Sequence, residues 1–369
     1  MSPHASPELP PITLLWMESV RSGTASELHL HGTLQRLRSQ GCVVHEVISS
    51  EAGSRTTNLE RVRRLGALVL RAMRARHGGL LLARFHPLLL PVLWWWRRGG
   101  ATVVLSVQGA LDPDVMDGVP VARAWARLNR HTLRQAHGVI TVTAGLAETL
   151  RPLLRSEATP LAVIPNGINA PTHAATPAQA TWPYAVFVGN LAAWQGIEEM
   201  LEATRHPSWP AELRLVIVGD GSQEELVSAE GGRVVVPLGR LPRDEAMSWL
   251  AGAVFAFSLQ DPHSGAAAGG YWPYKILEAA AAGVPTIASD AAGLQEMADE
   301  LGSVIVCPFG DTAAVASAAA RLSSDRDLRD ALGRAGKENV VPHLWTGKAP
   351  LLVETLVAAH AGGTHRGRP

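Results

Sequence analysis

Short apolar runs alternate with stretches of helical periodicity along almost the whole chain, the pattern of an α/β protein built on parallel sheets. In the first half the runs predict strands at Ile12–Met17, Cys42–Ile48, Leu80–Ala83, Thr102–Val107, Gly138–Val142 and Leu161–Ile164. A polar turn at Ser22-Gly23-Thr24 leads into a helix through Ser39, and Leu59–Arg76 reads as a strongly basic helix. The alternation stops at Asn169–Ala180 (NAPTHAATPAQA), rich in Ala, Pro and Thr and free of charge, which is a linker composition. It resumes with strands at Tyr184–Val188, Leu213–Val218, Arg233–Pro237, Val254–Phe257, Thr286–Ser289 and Val304–Val306. Helices are predicted at Ile197–Thr204, Glu224–Ala229, Asp244–Ala251 and Tyr274–Ala282, from Thr312 and Ser324, and at Gly347–His360 after an irregular Val341–Trp345.

Two similar α/β halves joined by a linker predict two Rossmann-like parallel-sheet domains facing across a cleft. The expected boundaries are a first domain over 1–168, a linker over 169–182, a second domain over 183–342, and a C-terminal helix within 343–369 that crosses back to the first domain. The length of 369 residues agrees with about two domains.

Composition narrows the function classes. With 33 basic and 33 acidic side chains the formal charge is zero, which argues against a dedicated nucleic-acid binder. Cys42 and Cys307 are the two cysteines, too few for a disulfide framework or a thiolate metal cluster, and a reducing cytoplasm is expected. The polar, proline-bearing start lacks the look of a signal peptide, and the greasiest run, Pro87–Trp96, is too short to span a bilayer. Asp112-Pro113-Asp114 spells a D-x-D metal pattern but reads better as a solvated turn. His29 and His31, two apart, do not share a helix face, so no metal is expected. The basic helix 59–76 and Trp94–Trp96 leave two readings open: a solvated helix with partly buried tryptophans, or peripheral contact with an anionic membrane at its inner, cytoplasmic face.

The chemistry concentrates in Gly269–Glu296 (GGYWPYKILEAAAAGVPTIASDAAGLQE). Pro273 suits a helix's first turn, four alanines propagate it, and Gly283 with Pro285 ends it. Such a helix start offers amide N–H groups and a positive dipole to a phosphate. Lys275 adds a cation there, and Glu278, one turn on, can accept hydrogen bonds from ribose hydroxyls. The plainer alternative is a Lys275–Glu278 ion pair on a packing helix.

The second half resembles the retaining glycosyltransferases of family 4, which have the two-domain GT-B fold. The resemblance rests on 186–203 (VFVGNLAAWQGIEEMLEA), 213–226 (LRLVIVGDGSQEEL), 236–253 (VPLGRLPRDEAMSWLAGA) and 275–296 (KILEAAAAGVPTIASDAAGLQE), with weaker likeness at 138–150 and 163–169. It implies a retaining transferase that moves a sugar from a nucleotide diphosphate donor, UDP- or GDP-linked, without a metal cofactor. The acceptor would be a hydroxyl of a glycan, glycolipid or small molecule, in bacterial polysaccharide or glycoconjugate biosynthesis. By the resemblance Glu278 holds the donor ribose and Lys275 the phosphate or sugar, beside Ile276, Gly189, Asn190, Gln195, Gly221 and, from the first half, Gly23. Lys275 and Gln108 are the catalytic candidates, and Arg84 and His86 the acceptor contacts.

The sequence departs from the family pattern in two places. Gly270 stands where a glutamate commonly meets the donor sugar, and Asn190 and Gln195 stand where an arginine and a lysine usually meet the diphosphate. Each lost cation removes a charge-assisted hydrogen bond of roughly 1.5–3 kcal/mol. Two alternatives stay open: a catalytically weakened binding or partner protein of the same fold, and a sugar-nucleotide epimerase.

Overall fold

The structure is a computed structural model. It describes residues 9–17, 24–49, 58–75, 79–109, 119–169, 178, 180–264 and 269–364. The chain divides into two compact units, Met1–Gly167 with Trp345–Pro369, and Ile168–Leu344.

The first unit is a six-stranded parallel sheet of β1 (Ile12–Trp16), β2 (Val44–Ile48), β3 (Leu80–Arg84), β4 (Thr102–Val107), β5 (Gly138–Thr141) and β6 (Leu161–Val163), in the order β2-β1-β3-β4-β5-β6. Period-two alternation in strands buried on both sides builds its core. Ile12, Leu14, Trp16, Leu80, Leu82, Val104 and Ile140 face α1 (Ala25–Ser39) and the C-terminal helix Ala349–Thr364. Leu352, Leu356 and Ala359 recur at i, i+4 and i+7 to bury one stripe of that last helix. It lies so near β5 that a Cβ on Gly138 would stand 2.8 Å from the Ala359 methyl.

Three further helices follow: α2 (Asn58–Arg74), α3 (Leu90–Arg98) and α4 (Val119–Leu133). α3 is one of the helical stretches expected between the strands at 80–83 and 102–107, and it takes in most of the run Pro87–Trp96, whose internal proline reads as a breaker. Pro91 instead sits in the helix's first turn, where its missing N–H costs nothing. Val92, Leu93 and Trp96 of α3 are buried, and the Trp96 indole donates to the Ala72 carbonyl of α2 at 2.9 Å. The first unit closes with α5 (Ala144–Leu150), capped by the Thr143 hydroxyl.

Arg36, on α1, anchors both places where the chain passes between units. Its Nε donates to Trp345 O at 3.1 Å and its Nη2 to Pro165 O at 3.0 Å, with the guanidinium over the Trp345 ring.

The second unit is a parallel sheet of β7 (Tyr184–Val188), β8 (Arg214–Val218), β9 (Val235–Gly239), β10 (Phe255–Ser258), β11 (Thr286–Ser289) and β12 (Val304–Cys307), ordered β12-β11-β10-β7-β8-β9. Its helices are α6 (Ile197–Arg205), α7 (Glu224–Ala229), α8 (Arg243–Ala251), α9 (Tyr274–Ala282), α10 (Leu294–Leu301), α11 (Thr312–Ser324) and α12 (Arg326–Asn339). Ala185, Phe187, Leu215, Ile217, Phe255 and Phe257 join one core with α6 and α11; Tyr184, Val186, Val216, Val218 and Ala256 join another with α8 and α9. β7 and β10 are neighbours whose connections leave in opposite directions. That is the topological switch point, where open α/β sheets take ligands at the carboxyl ends of the strands.

Candidate functional site

A polar cluster occupies that switch point in the second unit. After β7 the chain makes a single turn, Ala193–Gln195, which ends on Gly196 in the left-handed region (φ 67°), and this buries the Gln195 side chain. After β10, Gln260 is buried too, and its Nε2 donates to Gln195 Oε1 at 3.3 Å. Ser258 Oγ donates to Gln260 Oε1 at 3.0 Å, fixing the side-chain amide, and Ser289 Oγ donates to the Gln260 backbone carbonyl at 2.6 Å.

Lys275 enters from α9, whose N-terminus is preceded by Pro273 and has no side-chain cap. Its Nζ donates to Gln195 Oε1 at 2.7 Å and stands 4.0 Å from the centroid of the Phe187 ring. Desolvation lowers its pKa to about 7, opposed by the nearby Glu278 carboxylate. Glu278 itself does not bond Lys275: its Oε1 accepts from Arg243 Nη2 at 2.6 Å. The plain ion pair on a packing helix is therefore not what forms.

The other expected donor residues are placed as follows. Gly189 lies under the ammonium, where a Cβ would stand 3.2 Å from Lys275 Nζ. Asn190 is exposed, and a Cβ on Gly221 would meet its Oδ1 at 2.6 Å. The Ile276 side chain is wholly buried, so its backbone N–H in the first turn of α9 is what it can offer a ligand. Gly23 lies outside the described residues, as do Asp112 and Asp114.

Gly270 has a structural reason to be glycine. Its φ is +88°, and a Cβ there would approach the Ala292 carbonyl oxygen to 3.0 Å, because the next residue, Tyr271, donates its N–H to that carbonyl at 2.8 Å. The loop is built without room for a side chain at this position.

The first unit holds its own polar cluster at the carboxyl ends of β1, β3 and β4, next to the point where strand order reverses between β1 and β3. Gln108 and Arg84, assigned separately from the sequence, converge on the buried His29: Gln108 Nε2 stands 3.2 Å from His29 Nε2, and Arg84 Nη1 stands 3.5 Å from Nδ1. Arg84 also covers the Trp16 ring, and His29 lies between the rings of Trp16 and Trp345. Burial first, then the Arg84 and Arg36 cations, hold the His29 pKa well below its ordinary value, so the imidazole is neutral. Both its partners carry amino groups, so the ring's one acceptor fits one of them and a turned Gln108 amide fits the other. His86 is apart from this cluster. Its Nδ1 accepts from Leu88 N at 3.2 Å and its ring meets Trp125 edge-on.

The sequence reading missed Gln260, Arg243 and His29. Among the described residues no group of three or more His, Cys, Asp and Glu could hold a metal ion.

Residues 20–167 match the family model described as a glycosyl transferase 4-like domain, and residues 183–325 match the model of the glycosyl transferases group 1. The chain belongs to the group 1 glycosyltransferases. Among curated proteins, the phosphatidyl-myo-inositol mannosyltransferase of Mycobacterium leprae is 30% identical over 203 residues, 50% of each chain, so the match spans about half the length of that relative. Among solved structures, a sucrose-phosphate synthase of Thermosynechococcus elongatus superimposes with a TM-score of 0.74 at 18% identity, over 95% of this chain and 99% of that one. Anabaena HepE with UDP bound gives 0.70 at 15% identity, over 94% and 100%. These neighbours share one architecture, GT-B, and the two six-stranded sheets described above are its two domains.

Proposed function

We propose that this group 1 glycosyltransferase moves a sugar from a nucleotide diphosphate donor to a hydroxyl of a glycan, glycolipid or small molecule, with retention of anomeric configuration. The observation that carries the reading is Lys275, a partly desolvated ammonium in the first turn of α9, aimed at the buried Gln195 carbonyl at the switch point. The donor diphosphate would take the place of that carbonyl on the ammonium and accept from the first-turn amides, Ile276 N–H among them. Glu278, steadied on one oxygen by Arg243, keeps its other oxygen for the ribose hydroxyls. UDP bound to the similarly folded HepE supports a nucleoside diphosphate, UDP or GDP, at this place.

In the transfer the bond from the anomeric carbon to the diphosphate oxygen breaks. The acceptor hydroxyl oxygen bonds to the same face of that carbon, and its proton passes to the departing phosphate. Lys275 stabilises the charge that develops on the leaving group, and Arg84 and Gln108 hold the acceptor. Lys275 and the first-turn amides take up charge on the diphosphate, and the reading includes no metal.

The test is a panel of UDP- and GDP-sugars with the purified protein, with hydrolysis and transfer read by mass spectrometry and anomeric configuration by NMR. Activity is expected with at least one donor, unchanged by EDTA and lowered about a hundredfold or more by Lys275→Met. Full activity in Lys275→Met overturns the site. A second reading, a partner protein that binds donor without turnover, is favoured by Asn190 and Gln195 being amides; nucleotide-sugar binding without hydrolysis or transfer would select it.

A further inference from the structure

The whole chain is formally neutral, yet its charge is unevenly placed. Between Arg61 and Ala147 lie thirteen arginines and no lysine, against three acids, Asp112, Asp114 and Asp117, all in a segment outside the described residues. This stretch supplies α3, α4 and all of α2 but its first turn, which adds one acid, Glu60. On the outward side of α2 stand Arg63, Leu70, Arg71 and Arg74, at helical spacing, and on that of α3 stand Trp94, Trp95 and Arg98. The two helices are packed together through Trp96, so these side chains share one surface.

The same surface gathers exposed apolar side chains. Seven large hydrophobics are exposed among the described residues, and three are on these two helices: Leu70 (53%), Trp94 (51%) and Trp95 (41%). The Arg98 guanidinium lies 4.7 Å from the Trp94 ring centroid, so cation and indole are presented together. A solvated helix needs no paired exposed indoles, and a nucleic-acid surface needs no leucines among its arginines. Indoles and a leucine set among arginines that far outnumber acids match the two layers of a lipid interface, acyl boundary and anionic headgroup.

We propose that the outward face of α2 and α3 docks the protein on an anionic lipid bilayer, with Trp94, Trp95 and Leu70 entering the interface and Arg71, Arg74 and Arg98 meeting the headgroups. The attachment is peripheral, since no described helix is long and apolar enough to cross a membrane. It does not depend on sugar transfer.

Co-sedimentation of the full chain with vesicles tests it. Binding is expected to phosphatidylcholine–phosphatidylglycerol vesicles, weakly or not at all to phosphatidylcholine alone, and to fall steeply with added salt. Trp94→Ala/Trp95→Ala should weaken binding about tenfold or more, and Arg74→Glu/Arg98→Glu comparably, with unchanged circular dichroism and melting temperature. Sedimentation indifferent to anionic lipid, or binding that survives loss of both indoles, overturns the proposal. So does a preference for duplex DNA over vesicles, or self-association that the paired tryptophan substitution abolishes. Donor hydrolysis measured without vesicles reads the other site alone, so either reading fails without the other.

Discussion

Lys275 donates a 2.7 Å hydrogen bond to the side-chain oxygen of Gln195, a residue 80 positions earlier in the chain. The bond ties the first turn of α9 to the loop after β7, across the point where the sheet's connections reverse. An ammonium held by an amide oxygen is only half compensated, because the amide supplies a dipole and no charge. A diphosphate would complete it.

Replacing that ammonium should therefore cost turnover more than folding. Lys275→Met is expected to lower kcat/KM for the donor by about a hundredfold or more, the usual scale for a lost oxyanion-stabilising group. Gln195→Ala should cost less, since it removes a holder and leaves the charge. Steady-state kinetics of both variants beside the wild type decide this, with thermal melting to check the fold.

Acidity bears on the same residue. Lys275 has a pKa of about 7, so its ammonium is charged below that pH and mostly neutral above it. A bound diphosphate favours the charged form, so donor affinity should fall as pH rises past about 7, by up to about tenfold per unit. Calorimetric titration of nucleoside diphosphate across this range, in buffers of different ionisation enthalpy, should also show proton uptake on binding. Lys275→Arg, which stays charged, should flatten the dependence.

Gly270 lets a second idea be checked by adding rather than removing. Gly270→Glu places a side chain at φ +88° against the Ala292 carbonyl. The strain should cost about 1–3 kcal/mol, seen as a lower melting temperature, with no gain in transfer. A stable, more active Gly270→Glu protein would refute the packing argument.

His29 predicts an acid limit. The folded protein keeps this imidazole neutral well below 6.5, whereas the unfolded chain takes up a proton near 6.5. The unfolded state then holds more protons, so stability drops as pH falls below 6.5 and is fully present above it. Denaturant midpoints for the wild type and His29→Gln should converge as the pH is lowered, because the variant lacks this titration.

Much of this was legible in the sequence. The inner strand runs are mostly apolar and buried on both faces, so they declare themselves by composition, and both sheets follow, as does the helix carrying Lys275 and Glu278. The helix Leu294–Leu301 was passed over, although Leu294, Met297, Ala298 and Leu301 keep helical spacing, because it is short and squeezed between two strands. The partnerships were harder. Arg243 meets Glu278 from 35 positions away, Gln260 meets Gln195 from 65, and Gln108 meets His29 from 79. Only the sheet order brings such pairs together, and no local spacing encodes it.

The anchoring of Trp345 and Pro165 by one arginine has a consequence for biogenesis. The second unit is one unbroken stretch of chain, whereas the first lacks a core helix until residues 349–364 have been made. Domains tend to fold in the order they leave the ribosome. Here the earlier-made unit must wait with one sheet face covered by α1 alone while the later one matures, so chaperone dependence during translation should centre on the amino-terminal half.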